Sequence, residues 1–427
     1  MPYRIAGIDV HKKMLAVVVA DVDVEGEWCF ERRQCGTGPS QLHALAEWLA
    51  ERDVEEVVME STAQYWRPVW EALEQQWQPT RRRRAEAGPM SGALHLAQAQ
   101  SNNGPRGRKK DFPDAERLVK RLVAHELTLS FVPDVTQRLW RTVTRRKYQS
   151  TCNRVQLRNR LECLLEEAHL KVSSLVSDLL GLSGRRMLRA VAAGEADPAT
   201  VAALGSPRLH ATPDQLRDAL GACFNLHPVY RRLLAMTLEE LDMIDAHIRQ
   251  LDEELAQLLR EQQQAVERLA AVPGLGVDSA QQIIAEVGPT AATFATAKRL
   301  ASWVGACPGH DESAGINHSH RSPNGNRQMR RLLNQAANAA VKTKGSIFEL
   351  VYRRLVVRLG HAQAIGAVAH RLCRLVWKIL HDGVAYEERG PAVTKQRAQR
   401  RAAKMIRELR TLGYRVDLVP APSGSPA

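Results

Sequence analysis

Residues 3–20, YRIAGIDVHKKMLAVVVA, decide the fold. Tyr3–Asp9 reads as a strand that ends in an acid, HKK as a turn, and Met14–Ala20 as a second strand. The second run is almost wholly apolar, which suits a strand covered on both faces. Trp28–Cys35 predicts a third strand beyond a loop rich in Asp, Glu and Gly. Pro39–Arg52 has helical spacing, with Leu42, Leu45, Ala46 and Leu49 on one side. Glu55–Glu60, EEVVME, predicts a fourth strand that again ends in an acid, and Trp66–Gln76 returns to helix.

Three strands, helix, strand, helix is the order of an RNase H-like α/β domain. In that arrangement the first and fourth strands are neighbours, so Asp9 and Glu60 would lie side by side. Further on, RRRRAEAGPMSG (81–92) reads as a loop and ALHLAQAQ (93–100) as a short strand. The stretch RGRKKDFPDAERL (106–118) then places Asp111 and Asp114 three apart at a helix start. Residues i and i+3 share a helix face, and paired carboxylates are half of a cage for a hard divalent cation. Taken alone, DxxD is as well explained by acids complementing the helix dipole. Arg106, Arg108, Lys109 and Lys110 come just before it and suit phosphate.

The remainder reads as helical. Pro133–Gly181 has the pattern of one long basic helix, and 182–228 is broken by Gly and Pro into short helices. From Leu234 to Ala265 apolar residues fall at heptad spacing, with Leu234, Leu241, Ile248 and Leu255 on one position and Ile244, Leu251 and Leu258 on the other. That is a coiled-coil or helical-hairpin pattern, its partner being the first long helix or a second protomer. VPGLGVDSAQQIIAEVG (272–288) reads as a helix-hairpin-helix, in which Gly274 and Gly276 would let backbone N–H groups approach a phosphate; an ordinary glycine connection reads the same way. A helix is predicted over 297–304, a polar loop over 305–321, a helix over 326–343 and a helical region from Gly345 to about His381. The tail, 391–427, carries eight basic residues against two acids and ends in PAPSGSPA, a composition that predicts partial disorder.

A chain of 427 residues predicts two or three domains, and 44% hydrophobic content is enough for real cores. The formal net charge of +13 suggests a polyanionic partner, nucleic acid before membrane. Seven scattered cysteines with no CxxC exclude a zinc site of ordinary spacing and fit reduced thiols in a cytoplasm. No signal peptide and no membrane span are expected.

Acids at two strand ends plus DxxD form a joint pattern more specific than any one of them. Four converging carboxylates repel unless metal neutralises them, and two-metal sites activate a nucleophile and stabilise a leaving oxygen. Arg321, Arg327, Arg330 and Arg331, spaced about a helix start, could clamp phosphates or form a solvated basic face.

GIDVHK (7–12), VVMES (57–61), GRKKDFPDAERL (107–118), VPGLG (272–276) and ESAGINHSHRSPNGNRQMRRLLNQAA (312–337) together resemble the DEDD transposases of bacterial insertion sequences, a family that includes bridge-RNA-guided recombinases. The resemblance runs over roughly 3–390. It implies a RuvC-like domain over 1–130, a helical coiled-coil linker over 131–268, a mainly helical C-terminal transposase domain over 269–390, and the basic tail. It matches Asp9, Glu60, Asp111 and Asp114 to a Mg²⁺-binding tetrad, and Ser313 to a serine nucleophile that lies ahead of a Gly-Asn-Arg helix start. It further implies donor and target DNA, a structured guide RNA, a dimer or tetramer, and a cytoplasmic, nucleoid-associated enzyme. The rival readings are a RuvC-like two-metal nuclease with no serine intermediate, and a non-catalytic nucleic-acid scaffold.

Overall fold

The computed structural model describes residues 3–22, 28–60, 63–77, 94–102, 111–307, 312–313, 316–317, 322–411 and 415–416. The chain divides into two compact units, Met1–Asp134 and Val135–Ala427.

The first unit is a mixed sheet with helices on both faces. Its elements are β1 (Arg4–Val10), β2 (Met14–Asp21), β3 (Phe30–Gly36), α1 (Pro39–Glu51), β4 (Val54–Glu60), α2 (Trp66–Gln76), β5 (Leu94–Ala97) and α3 (Asp111–Val123). The strand order is β3-β2-β1-β4-β5. The first three strands form an antiparallel meander, while β4 and β5 join in parallel after their helical crossovers. The register sets Ile8 against Met59, so the two acid-terminated strands end side by side.

Alternation along β1 assigns its two faces. Ala6, Ile8 and Val10 pack with Leu45 and Leu49 of α1 and Trp70 of α2. Ile5, on the other face, packs with Val18, Ala20 and the α3 residues Ala115 and Val119. Gly7 shares that second face, and a Cβ there would lie 2.3 Å from the Ala115 carbonyl oxygen. The missing side chain lets α3 lie directly on β1. Burying each large core side chain contributes about 1.5–3 kcal/mol, and the sheet is saturated with them: Leu15, Val17, Val18, Val57 and Val58 are inaccessible.

The second unit is helical apart from a two-strand ribbon. It contains α4 (Val135–Glu167), α5 (Leu182–Ala193), α6 (Pro198–Ala202), α7 (Pro213–Ala219), α8 (Pro228–Leu258), α9 (Gln263–Ala270), α10 (Val277–Val287), α11 (Ala297–Val304), β6 (Glu312–Ser313), β7 (Ile316–Asn317), α12 (Arg327–Ala340), α13 (Ile347–Leu359), α14 (His361–Asp382) and α15 (Gly390–Thr411). The long basic helix stops at Glu167, earlier than its composition predicts, because His169 adopts φ +58° and turns the chain. The region after Gly345 is two helices, broken at Gly360 with φ +77°. The basic tail is helical through Thr411, and its last stretch, PAPSGSPA, lies outside the described residues.

Helices α4 and α8 run antiparallel. Trp140 Nε1 donates to the Leu258 carbonyl at 3.1 Å, and Arg154 Nε meets Asp245 at 2.6 Å. Leu157, Leu161 and Leu165 pack against Leu234, Leu238 and Leu241 at one end. Of the α8 heptad residues, Leu234, Leu241 and Leu255 are buried inside the chain and Ile244 and Leu258 pack against its cores, while Ile248 and Leu251 are half-buried. Helices α9–α14 form the larger core, around Ile283, Ile284, Leu333, Leu372 and Val376.

Candidate metal-binding carboxylate site

Asp9 is carried to the rim of the sheet by β1, on the face that α3 covers. The N-terminus of α3 begins at Asp111 and presents both of its aspartates in its first turn. One oxygen each of Asp9 and Asp111 and a ring nitrogen of His11 lie within 4.8 Å of one another. His11 sits between the acids, its Nε2 3.3 Å from Asp9 Oδ2 and 3.2 Å from Asp111 Oδ1. Glu60, at the end of β4, accepts a hydrogen bond from Asn102 Nδ2 at 2.8 Å. Asp114 accepts one from Arg117 Nη2 at 2.7 Å. Arg117 also donates to the Asn102 carbonyl at 3.3 Å and Arg121 to the Ser101 carbonyl at 2.6 Å, so α3 grips the turn that brings Asn102 to Glu60.

Asp9 feels the charges of the other three carboxylates. The Asp9 carboxyl is held above its ordinary range, first by burial and then by the charges of Glu60, Asp114 and Asp111, while His11 opposes the shift. His11 links Asp9 to Asp111, while Glu60 and Asp114, engaged by Asn102 and Arg117, are near enough to act on Asp9. The donor set fits a hard cation, which prefers oxygen ligands. Asn102 adds a second indication: it is buried and its Oδ1 has no hydrogen-bond partner among the described residues.

The sequence reading passed over His11, Asn102, Arg117 and Gly7. For His11 a signal existed, since it lies two residues beyond an acid at a strand end. Asn102, in a polar loop, carried none.

The other expected site residues fare unevenly. Arg106, Arg108, Lys109, Lys110, the run Arg81–Arg84 and Arg321 lie outside the described residues. Ser313 is in β6, opposite Ile316 of β7. Gly276 precedes α10 as its N-cap. Gly274 has an internal reason to be glycine: its φ is +85°, and a Cβ would lie 2.2 Å from the Ala336 carbonyl oxygen on α12. Arg327 is exposed. Arg330 donates to the Pro323 carbonyl at 2.7 Å. Arg331 donates to Gln282 at 2.9 Å and lies 3.7 Å over the Tyr148 ring, so much of its bonding capacity is already used within the fold.

Two family models match the chain. One, a transposase model of the DEDD IS110 type, covers residues 6–170. The other, described as the transposase IS116/IS110/IS902 family, covers residues 266–353. The chain belongs to the IS110-type DEDD transposase family. The first match spans all four carboxylates, and the second spans Ser313. Similar curated proteins agree. An uncharacterized 43.6 kDa protein of insertion element IS110 from Streptomyces coelicolor is 31% identical over 125 residues, 29% of this chain and 31% of the relative. An uncharacterized 42 kDa protein of insertion element IS900 from Mycobacterium paratuberculosis is 29% identical over 165 residues, 38% and 40% of the two chains. A putative transposase, y4pF/y4sB, from Sinorhizobium fredii is 25% identical over 193 residues, 44% and 48% of the two. The chain spans less than half the length of each of these relatives. No helix among the described residues is long and apolar enough to cross a membrane.

Proposed function

We propose that this chain is a DNA transposase that cuts and rejoins strands, with Asp9, Glu60, Asp111 and Asp114 holding Mg²⁺ and Ser313 as the nucleophile. The observation that carries the metal site is the convergence of ligand atoms of Asp9, His11 and Asp111 within 4.8 Å of one another, with the charges of Glu60 and Asp114 also acting on Asp9. The strand order β3-β2-β1-β4-β5 supports an RNase H-like, RuvC-like reading of the first unit. When bound there, a divalent ion supplies charge neutralisation and polarisation of a phosphodiester.

The protein's own groups have separable tasks. Asp9 and Asp111 offer oxygens within 4.8 Å of one another. His11, between them, orients both through Nε2. Asn102 and Arg117 fix the rotamers of Glu60 and Asp114. A serine ester formed by Ser313 would keep the energy of the broken phosphodiester for rejoining. The net charge of +13 supports nucleic acid as partner, and family membership favours donor and target DNA, guidance by a structured bridge RNA, and a homo-oligomer at the nucleoid.

The test is strand cleavage by the purified full chain, isolated from cells that carry its native flanking DNA and any RNA bound to it. Cleavage should require Mg²⁺ and should be lost in Asp111→Ala, with DNA binding retained. Ser313→Ala should yield neither recombinant nor covalent protein–DNA adduct, whereas Ser319→Ala and Ser322→Ala keep the adduct. Cleavage that persists in Ser313→Ala moves the assignment to a two-metal nuclease. Binding with no metal-dependent cleavage by the parent moves it to a scaffold.

A further inference from the structure

A cavity of about 760 Å³ lies in the helical unit between α12, α13 and α14, beside the chain that leaves α11. Its volume is in the range of pockets that enclose a small organic group. The floor is apolar, built from Leu333, Leu355, Leu359 and the small residues Ala362 and Ala367. Arg330, Arg354, Arg371 and Arg374 stand on its walls, and among the described residues none that lines it is acidic. Arg354, Arg371 and Arg374 are exposed and have no ion-pair partner among the described residues. On α14, Gln363, Ala367, Arg371 and Arg374 follow one another at steps of three and four, which places them along one face. His370 anchors that face by a 2.7 Å hydrogen bond to the Ala306 carbonyl.

A cluster of guanidinium groups with no acid partner is electrostatically unsatisfied, and an anion is what satisfies it. The apolar floor asks for more than an inorganic anion. A flat ring between aliphatic side chains and arginine planes, with phosphates either side of it, meets both demands. We infer that this cavity takes one unpaired nucleotide of a nucleic-acid strand, its base on the Leu333–Leu359 floor and its flanking phosphates on Arg354, Arg371 and Arg374. This rests on nucleic acid being the partner, as proposed above, and assigns a site within the second unit. A paired base would not enter, because its edge is occupied and its stack closed.

The experiment is fluorescence anisotropy of the full chain with a short single-stranded oligonucleotide, and with the duplex of the same sequence. Two variants test the site by different means. Arg371→Ala with Arg374→Ala removes charge. Gly366→Leu fills the mouth without crowding the fold, since a Cβ at Gly366 meets no heavy atom within 4 Å. Each variant should weaken the single strand about tenfold and leave the duplex within about twofold. Free adenosine monophosphate should not displace the strand at comparable concentration. Unchanged single-strand affinity in both variants, or equal losses on strand and duplex, overturns the pocket while leaving nucleic-acid binding intact. Displacement by the free nucleotide overturns the strand as its ligand. Failure of the parent chain to bind either probe overturns both this inference and the nucleic-acid reading beneath it.

Discussion

Gly7 and Ala115 meet backbone to backbone: a Cβ on Gly7 would lie 2.3 Å from the Ala115 carbonyl oxygen and 2.8 Å from a Val119 methyl. Neither neighbour is the free end of a flexible chain, so the helix itself would have to move. Because α3 carries Asp111 and Asp114 in its first turn, the contact that seats the helix also sets the distance from those acids to Asp9. Gly7→Ala should therefore lower stability by about 1–3 kcal/mol through overpacking. It should also reduce the rise in Tm on adding Mg²⁺, without touching any ligand. Calorimetry with and without Mg²⁺ reads both effects, and a full Mg²⁺ response in Gly7→Ala would show that α3 seats independently of this contact.

Asp9 gives a prediction with a definite sign. Its carboxyl is raised from 3.8 in the folded state, by burial first and by the neighbouring acids next. The folded protein thus binds that proton more tightly than the unfolded chain does. Metal-free stability should fall as pH rises from the unfolded value through the raised folded one, and at neutral pH the ionised group is a burden. Asp9→Asn should raise the metal-free Tm by a few degrees and abolish the increase caused by Mg²⁺. A lower metal-free Tm in Asp9→Asn would mean that the link to His11 outweighs the repulsion.

Glu286 titrates in the opposite sense. It is 2% exposed, and Arg145 binds it bidentately at 2.9 and 3.0 Å while Asn326 donates to it at 2.8 Å. Burial alone would raise its carboxyl, but the Arg145 hydrogen bonds and the charges of Arg141 and Arg145 overcome that and hold it below 4.5. Its contribution is complete above the unfolded value and is lost as pH falls through the lowered folded one. The network ties α4 to α10 and to the N-cap of α12, where Asn326 also accepts from the Met329 backbone at 3.0 Å. Glu286→Ala takes the carboxylate from Arg145 and the acceptor from Asn326 and should cost about 3–5 kcal/mol. Urea titrations at neutral and acid pH should show a smaller acid-induced loss in that variant than in the parent.

The sheet was legible because its evidence is local. Ile5–Val10 and Leu15–Ala20 are apolar runs with a turn between, and the acids that end two strands advertise an edge. The pairing of α4 with α8 was half legible: the heptad spacing announced a seam, but not that Leu157, Leu161 and Leu165 of the same chain would fill it. The site was legible in its carboxylates and not in their supports. Asn102 and Arg117 matter through hydrogen bonds to Glu60 and Asp114, and nothing in a single sequence records a long-range contact. Gly274 looked like a phosphate-binding glycine and is required by the approach of α12, since a flexible turn and a tight one are written with the same residue.

The α8 helix also carries a second apolar stripe, and it moves the expected protomer interface. Leu234, Leu238, Leu241 and Leu255 are buried within the chain, whereas Val229, Leu233, Met236 and Met243 are exposed. The exposed four fall at steps of four, three and seven, the spacing of a coiled-coil seam. A homo-oligomer built on this helix should use the exposed stripe, because the buried one is already filled. Leu233→Glu with Met236→Glu should shift the protein towards monomer in analytical ultracentrifugation while moving Tm by no more than a few degrees. Leu241→Ala, by contrast, opens a cavity in the intrachain core and should cost about 2–5 kcal/mol, with the oligomeric state unchanged in the folded fraction. If the double glutamate variant sediments as the parent does, the interface lies elsewhere. If instead it unfolds, the stripe belongs to the core of the protomer.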